Sequence, residues 1–245
     1  MRNIKLTIAY DGTRYNGWQR QNNTDHTIQG KLEQLLQRMT GEEIEIHGSG
    51  RTDGGVHAHG QVANFHTNTG MTREEILSYM NEYLPQDIVV LDVKDASSRF
   101  HSRLNVKRKT YCYHIWNSPI PDVFTRKYSC QVPEPLDIRA MEQGASYLLG
   151  THDFQSFCAR KKMKKSTVRM IESIQIEKQG AEILLTYKGN GFLYNMVRIL
   201  TGTLIEIGKG ERKPEEIPMI LEAKNREAAG PTAPASGLFL EQVDY

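Results

Sequence analysis

The sequence predicts an α+β protein made of two βαββαβ halves of ferredoxin-like (RRM-like) topology, with largely antiparallel sheets packed edge to edge. Three observations predict this. Short runs alternate apolar and polar residues between turn residues, the pattern of half-buried strands. Between them lie segments whose apolar residues recur at helical spacing. The order strand, helix, strand, strand, helix, strand runs through residues 1–105, and residues 106–245 follow a similar order.

In the first half, KLTIAYDG sets Ile4, Leu6, Ile8 and Tyr10 on one face of a strand. From Thr27 the period changes: Ile28, Leu32, Leu35, Leu36 and Met39 form a helical stripe that Gly41 stops. EIEIHG and QVANFHT read as strands. Thr72 and Glu75 have capping-box spacing before a helix carrying Ile76, Leu77, Met80 and Tyr83, ended by Pro85. DIVVLDV is the next strand. In the second half, KTYCYHIW places Tyr111, Tyr113 and Ile115 on one strand face, and LDIRAMEQGASYLLG reads as a helix closed by Gly150. TVRMIESIQIEK and EILLTYKG are strands joined by a Gln-Gly turn. FLYNMVRILTGTLIEIG is a long amphipathic helix with Phe192, Met196, Ile199, Leu200 and Leu204 inward. EEIPMILEAK is a short helix, and GLFLEQV closes the second half as a strand.

The chain has 245 residues, 38% hydrophobic and 24% charged, an ordinary globular composition. No run reaches the roughly 18 apolar residues of a membrane span. The N-terminus alternates apolar and polar residues and has no export signal, so a cytoplasmic location is expected. Cys112, Cys130 and Cys158 are odd in number and widely spaced, which argues against a disulfide framework or a thiolate metal site. The net charge is only +2, yet residues 99–109 and 160–169 are strongly basic. Two such clusters point to nucleic acid; the plain alternative is two solvated loops.

The chemistry-bearing stretch is GSGRTDGGVHAHG, residues 48–60. No P-loop and no G-x-G-x-x-G after a strand occurs, and the GSG around Ser49 is not a hydrolase elbow. His57 and His59 share a strand face but lack further ligands at a familiar metal spacing. Asp53 remains, on a glycine-rich loop after a strand, where functional groups gather. Read locally, it is a functional carboxylate or a turn aspartate, since Asp-Gly-Gly is common turn chemistry.

GSGRTDGGVHA resembles the signature of the tRNA pseudouridine synthase A family, and further motifs follow in the family's order. They are AYDGTRYNGWQRQ (9–21) with TIQGKLE (27–33), FHSR (100–103), KTYCYHI (109–115), GTHDFQSF (150–157), TVRMI (167–171), GNGFLYNMVR (189–198) and GPTAPASGLFL (230–240). The resemblance spans nearly the whole chain. Departures are Gly54 where Ala is common, Ile199 where Asn is frequent and Ser236 where His often stands.

The resemblance implies isomerisation of uridine to pseudouridine at tRNA positions 38, 39 and 40, in a central catalytic cleft between the halves, without cofactor or metal. It makes Asp53 the nucleophile. Arg198 is the cation that keeps the carboxylate ionised against desolvation, and Tyr111 stacks on the uracil. Arg51 enters the RNA and stabilises the flipped-out nucleotide. His57 is expected to support the loop or touch RNA. Lys161, Lys162, Lys164 and Lys165 contact phosphates and contribute affinity rather than turnover. A homodimer, with tRNA contacts from both subunits, is also implied. A catalytically silent RNA-binding protein on a duplicated RRM-like sheet is one rival; it explains the basic clusters but not Asp53, Arg51, Tyr111 and Arg198 together. A hydrolase using Asp53 as nucleophile is the other; it lacks an evident general acid partner and an oxyanion motif.

Overall fold

The structure is a computed structural model that describes residues 1–160 and 165–245. The chain divides into two compact units, Met1–Lys107 with Phe239–Tyr245, and Arg108–Leu238. Both mix helices with mostly antiparallel strands, and among the described residues there are five α-helices.

The first unit runs β1 (Arg2–Tyr10), α1 (Ile28–Thr40), β2 (His47–Gly48), β3 (His57–Thr67), α2 (Arg73–Tyr83) and β4 (Ile88–Ala96). β1 lies between β3 and β4, antiparallel to both, and β2 pairs antiparallel with β3. Alternation along β1 buries Ile4, Leu6, Ile8 and Tyr10. Ile28, Leu32, Leu35 and Leu36 of α1 are buried too, which removes that helix's apolar stripe from water. Thr27 caps α1 by accepting the Gly30 N–H at 3.2 Å, and Gly41 ends it in the left-handed region at φ 72°. The capping box of α2 is formed in both directions between Thr72 and Glu75. Tyr83, the last residue read along this helix, is exposed: in the last turn of α2 its ring lies tilted against Tyr79 with Arg38 over it.

The predicted EIEIHG strand is reduced to two residues. The Ile46 N–H donates to Glu33 Oε1 at 3.1 Å and its carbonyl accepts from Gln29 Nε2 at 3.3 Å. Side chains of α1 thus take the backbone groups a longer ladder would have used. The closing strand β10 (Leu238–Asp244) also departs from expectation. Read from the sequence with the second half, it lies from Phe239 onward in the first unit, pairing parallel with β3 at Phe239↔His57 and Leu240↔Ala58.

The second unit contains β5 (Arg108–Trp116), β6 (Cys130–Gln131), α3 (Ile138–Ser146), β7 (Gly150–Asp153), β8 (Val168–Gln179), β9 (Glu182–Gly189), α4 (Met196–Gly208) and α5 (Glu216–Ala223). Its sheet runs β5, β9, β8, β7, each neighbour antiparallel, with β6 parallel on β5. Tyr113, Ile115, Leu185 and Tyr187 from the strands and Ile199, Leu200 and Leu204 from α4 are fully buried. α3 stops at Ser146 rather than Gly150, because Gly150–Asp153 pair with Val168–Ile171 as β7. α4 begins at Met196, not Phe192, because Asn195 has φ 59° and cannot continue a helix backwards. Phe192 therefore lies in the preceding loop.

Candidate functional site

Asp53 lies half-buried on the loop between β2 and β3. Its carbonyl accepts the Val56 N–H at 3.1 Å, making a tight turn through Gly54 and Gly55. The loop rests on residues 10–19. Trp18 N–H donates to Thr52 O at 3.0 Å, and Gly55 N–H donates to Tyr15 O at 3.2 Å. Tyr10 Oη and Thr52 Oγ1, both buried, are 2.8 Å apart. Burial pushes the Tyr10 hydroxyl up to about 12, against weaker opposing hydrogen bonds from Thr52 and Gln61, so it stays a neutral anchor. From the other side Ser49 Oγ donates to Gln61 Oε1 at 2.6 Å, and Gln61 Nε2 donates to Gly50 O at 3.2 Å. The loop carrying the carboxylate is held from both flanks, which restricts where Asp53 can stand.

Gly17 lies directly under this loop. Its φ is +98°, and a Cβ there would come 2.6 Å from Thr52 O. Gly54 differs: a Cβ on it would meet nothing closer than 3.4 Å, so the alanine common at this position in the resembled family fits.

Arg51 is exposed, and its Nε donates to Gln19 Oε1 at 2.9 Å. His57 is only 1% exposed and stacks on Phe239 with ring centroids 4.6 Å apart. Its Nδ1 accepts the Gly12 N–H at 3.1 Å and lies as far from Asp11 Oδ1. This geometry suits loop support, one of the two roles expected of His57. His59 is exposed, lies against the same Phe239 ring, and has Nδ1 2.9 Å from Glu241 Oε2.

In the second unit Tyr111 stands on β5 opposite Tyr187 of β9. It is 8% exposed, and its ring meets Phe192 edge-on at 5.3 Å. Arg198 lies in the first turn of α4, where its Nε donates to Ala233 O at 2.7 Å and its Nη1 donates to Asn195 Oδ1 at 3.2 Å. The Ala233 N–H returns a bond to Arg198 O at 3.1 Å. The same segment receives the Tyr113 hydroxyl, which donates to Pro234 O at 2.8 Å and is raised far above the ordinary tyrosine range by burial. Arg198 thus clamps the GPTAPASG segment to α4 at the turn whose N–H groups favour an anion. Lys165 is exposed; Lys161, Lys162 and Lys164 lie outside the described residues.

Sequence reasoning missed Gln19, Tyr10 and Gln61 as supports of the loop. Gln19 lies in a quoted motif, WQRQ, but nothing in its local pattern announces a partner 32 residues away. Among the described residues, no helix is long and apolar enough to cross a membrane.

A family model described as tRNA pseudouridine synthase matches residues 6–104 and 145–245, and so takes in the Asp53 loop and the Arg198 helix. The tRNA pseudouridine synthase A 2 of Bacillus cereus (strain ZK / E33L) is 47% identical over 245 residues, covering 100% of both chains. The tRNA pseudouridine synthase A of Bacillus sp. (strain KSM-64) is 49% identical, and the tRNA pseudouridine synthase A 1 of Clostridium tetani (strain Massachusetts / E88) is 50% identical, each with the same full coverage. A chain of the solved Cbf5-Nop10-Gar1 complex aligns with 82% of this chain and 45% of its own length, at 12% identity and a TM-score of 0.36, a likeness too slight to carry an argument. Matched by that model in both units and near half identical to such relatives from end to end, the chain belongs to the tRNA pseudouridine synthase family, isomerases that form pseudouridine in tRNA.

Proposed function

We propose that this enzyme acts on uridines at positions 38, 39 and 40 of the tRNA anticodon stem-loop, with Asp53 as the nucleophile and no cofactor. The observation that carries the reading is the Asp53 loop itself. It matches the family signature in sequence, and its carboxylate is half-buried on backbone anchored from both sides. In the reaction the bond from C1′ to N1 of uracil breaks and a bond from C1′ to C5 forms. C5 loses its proton and N1 gains one, so the atoms balance without an external oxidant or reductant. An ionised carboxylate can act as nucleophile toward sugar or base. Tyr111 is assigned to stacking on the uracil, a contact worth about 1–3 kcal/mol per base. Arg198 is assigned to keeping the carboxylate charged, and Arg51 to stabilising the extruded nucleotide.

Lys165 and its neighbouring lysines are assigned to phosphate contacts. A ferredoxin-like (RRM-like) reading of the units belongs to the same proposal. In the first unit it is supported by the order β1, α1, β2, β3, α2, β4 with β4, β1, β3 and β2 side by side. A cytoplasmic homodimer is the proposed working form.

The test is incubation of the purified protein with unmodified tRNA, followed by position-resolved detection of pseudouridine. Product at 38, 39 and 40 is the expected result, and modification only elsewhere refutes the site assignment. Asp53→Asn is expected to abolish product while tRNA binding persists. A normal rate in that variant removes Asp53 from the chemistry.

A further inference from the structure

Arg51 is the end of a chain of side-chain hydrogen bonds that begins inside the first unit. Glu33, on α1, is 7% exposed, and its Oε1 accepts the Ile46 N–H at 3.1 Å. The same oxygen accepts from Gln29 Nε2 at 2.8 Å. Gln29 is 6% exposed, and its Oε1 accepts twice, from the Arg20 backbone N–H at 3.0 Å and from Gln19 Nε2 at 2.7 Å. Gln19 then turns its Oε1 outward and accepts from Arg51 Nε at 2.9 Å.

The direction of this chain is not free. A backbone N–H can only donate, so the Arg20 N–H fixes the oxygen of Gln29 and the Ile46 N–H fixes an oxygen of Glu33. With Gln29 Oε1 fixed, Gln19 must present its amide nitrogen inward. Its oxygen is then the end that meets the loop, and it accepts a donor such as a guanidinium. The contact uses Nε of Arg51. Among the described residues, the terminal guanidinium nitrogens of Arg51 have no hydrogen-bond partner, and they are the donors suited to phosphate and base edges. The bond to Gln19 therefore restrains the long Arg51 stem while its recognition edge stays available.

We infer that Gln19, backed by Gln29 and Glu33, is a positioning residue that pre-orders Arg51 for extrusion of the target nucleotide. The inference rests on the proposed role of Arg51 and deepens it. An untethered arginine samples many rotamers, and that freedom must be given up when it enters the RNA; the tether removes part of the loss beforehand. The effect belongs on the extrusion step rather than on tRNA affinity.

The test is a double-mutant cycle on the full chain with Gln19→Met, which keeps length and removes both hydrogen bonds, and Arg51→Met. The probe is unmodified tRNA with 2-aminopurine beside the target uridine. Extrusion is read as the single-turnover rise in fluorescence, and kcat and KM as tritium release from [5-3H]uridine tRNA. Gln19→Met is expected to slow extrusion about 3- to 10-fold, the net worth of one hydrogen bond. KM should stay within about 2-fold of the parent, since the affected group acts after binding. In the Arg51→Met background the same change is expected to alter the rate less than about 1.5-fold, because the partner is gone. Equal fold-losses in both backgrounds overturn the positioning role while leaving the role of Arg51 intact. An unimpaired Arg51→Met variant overturns the role of Arg51 and the positioning with it. A loss that appears only in KM, or only as a lowered melting temperature with an unchanged extrusion rate, also overturns the inference.

Discussion

Gly17→Ala is the substitution expected to damage the candidate site most without replacing Asp53. Gly17 has φ +98°, where an L-residue is strained, and its new Cβ would come 2.6 Å from Thr52 O and 3.1 Å from Asp53 C. The left-handed conformation costs about 1–2 kcal/mol. The Thr52 carbonyl must also move, which weakens its 3.0 Å bond from Trp18 N–H and forfeits about 0.5–1.5 kcal/mol. With residual crowding the total is about 2–4 kcal/mol, a fall in melting temperature of roughly 4–15 °C for a chain of this size. The displaced carbonyl belongs to the residue before Asp53, and a shift of about 1 Å at a reacting group can cost on the order of 100-fold in rate. Gly54→Ala is the matched control. A Cβ there meets nothing closer than 3.4 Å, so the variant should gain about 0.4–1 kcal/mol through its less flexible unfolded chain and keep its activity. Thermal melts and tritium release from [5-3H]uridine tRNA measure both. If the two alanine variants match each other in stability and rate, the claim that Gly17 shapes the Asp53 loop is wrong.

Two further outcomes follow from charge. The Tyr10 hydroxyl is raised from 10.0 to about 12 by burial, so its contribution to stability is complete below pH 10 and is lost as the pH rises through about 12. In urea titrations, Tyr10→Phe should therefore lose less stability between pH 9 and pH 11 than the parent, by on the order of 1 kcal/mol; parallel losses refute the assignment. Neutralising Lys161, Lys162, Lys164 and Lys165 together should flatten the dependence of log affinity for tRNA on log salt by about 0.7–0.9 for each lysine that meets a phosphate. The turnover of bound tRNA should stay unchanged, and an unaltered slope removes the cluster from the binding surface.

Much was legible in the sequence wherever the interactions are local. Thr27 and Gly41 bound α1, and Thr72 with Glu75 starts α2, because caps join residues a few positions apart. Alternation in KLTIAY and KTYCYHI identified β1 and β5, including the inward Tyr111, since side-chain direction along a strand has a period of two. Asp53 and Arg51 could be singled out as candidates because they stand in one contiguous motif. The failures share a different cause. EIEIHG alternates like a strand, but its backbone is claimed by Gln29 and Glu33 of α1. LYNMVR has helical spacing, yet the left-handed Asn195 starts α4 later than the pattern suggests.

By itself, the sequence determined most of the succession of elements, most of the faces they bury and the loop that carries the carboxylate, because periodicity and turn chemistry act over neighbouring residues. Only the tertiary structure decided that Gln19 would hold Arg51, that Tyr10 and Gln61 would anchor the loop, that His57 would be buried against Phe239, and that the last strand would join β3. Those contacts join residues separated by 11 to 182 positions. No local pattern encodes such pairings, because they exist only after burial has brought distant segments together.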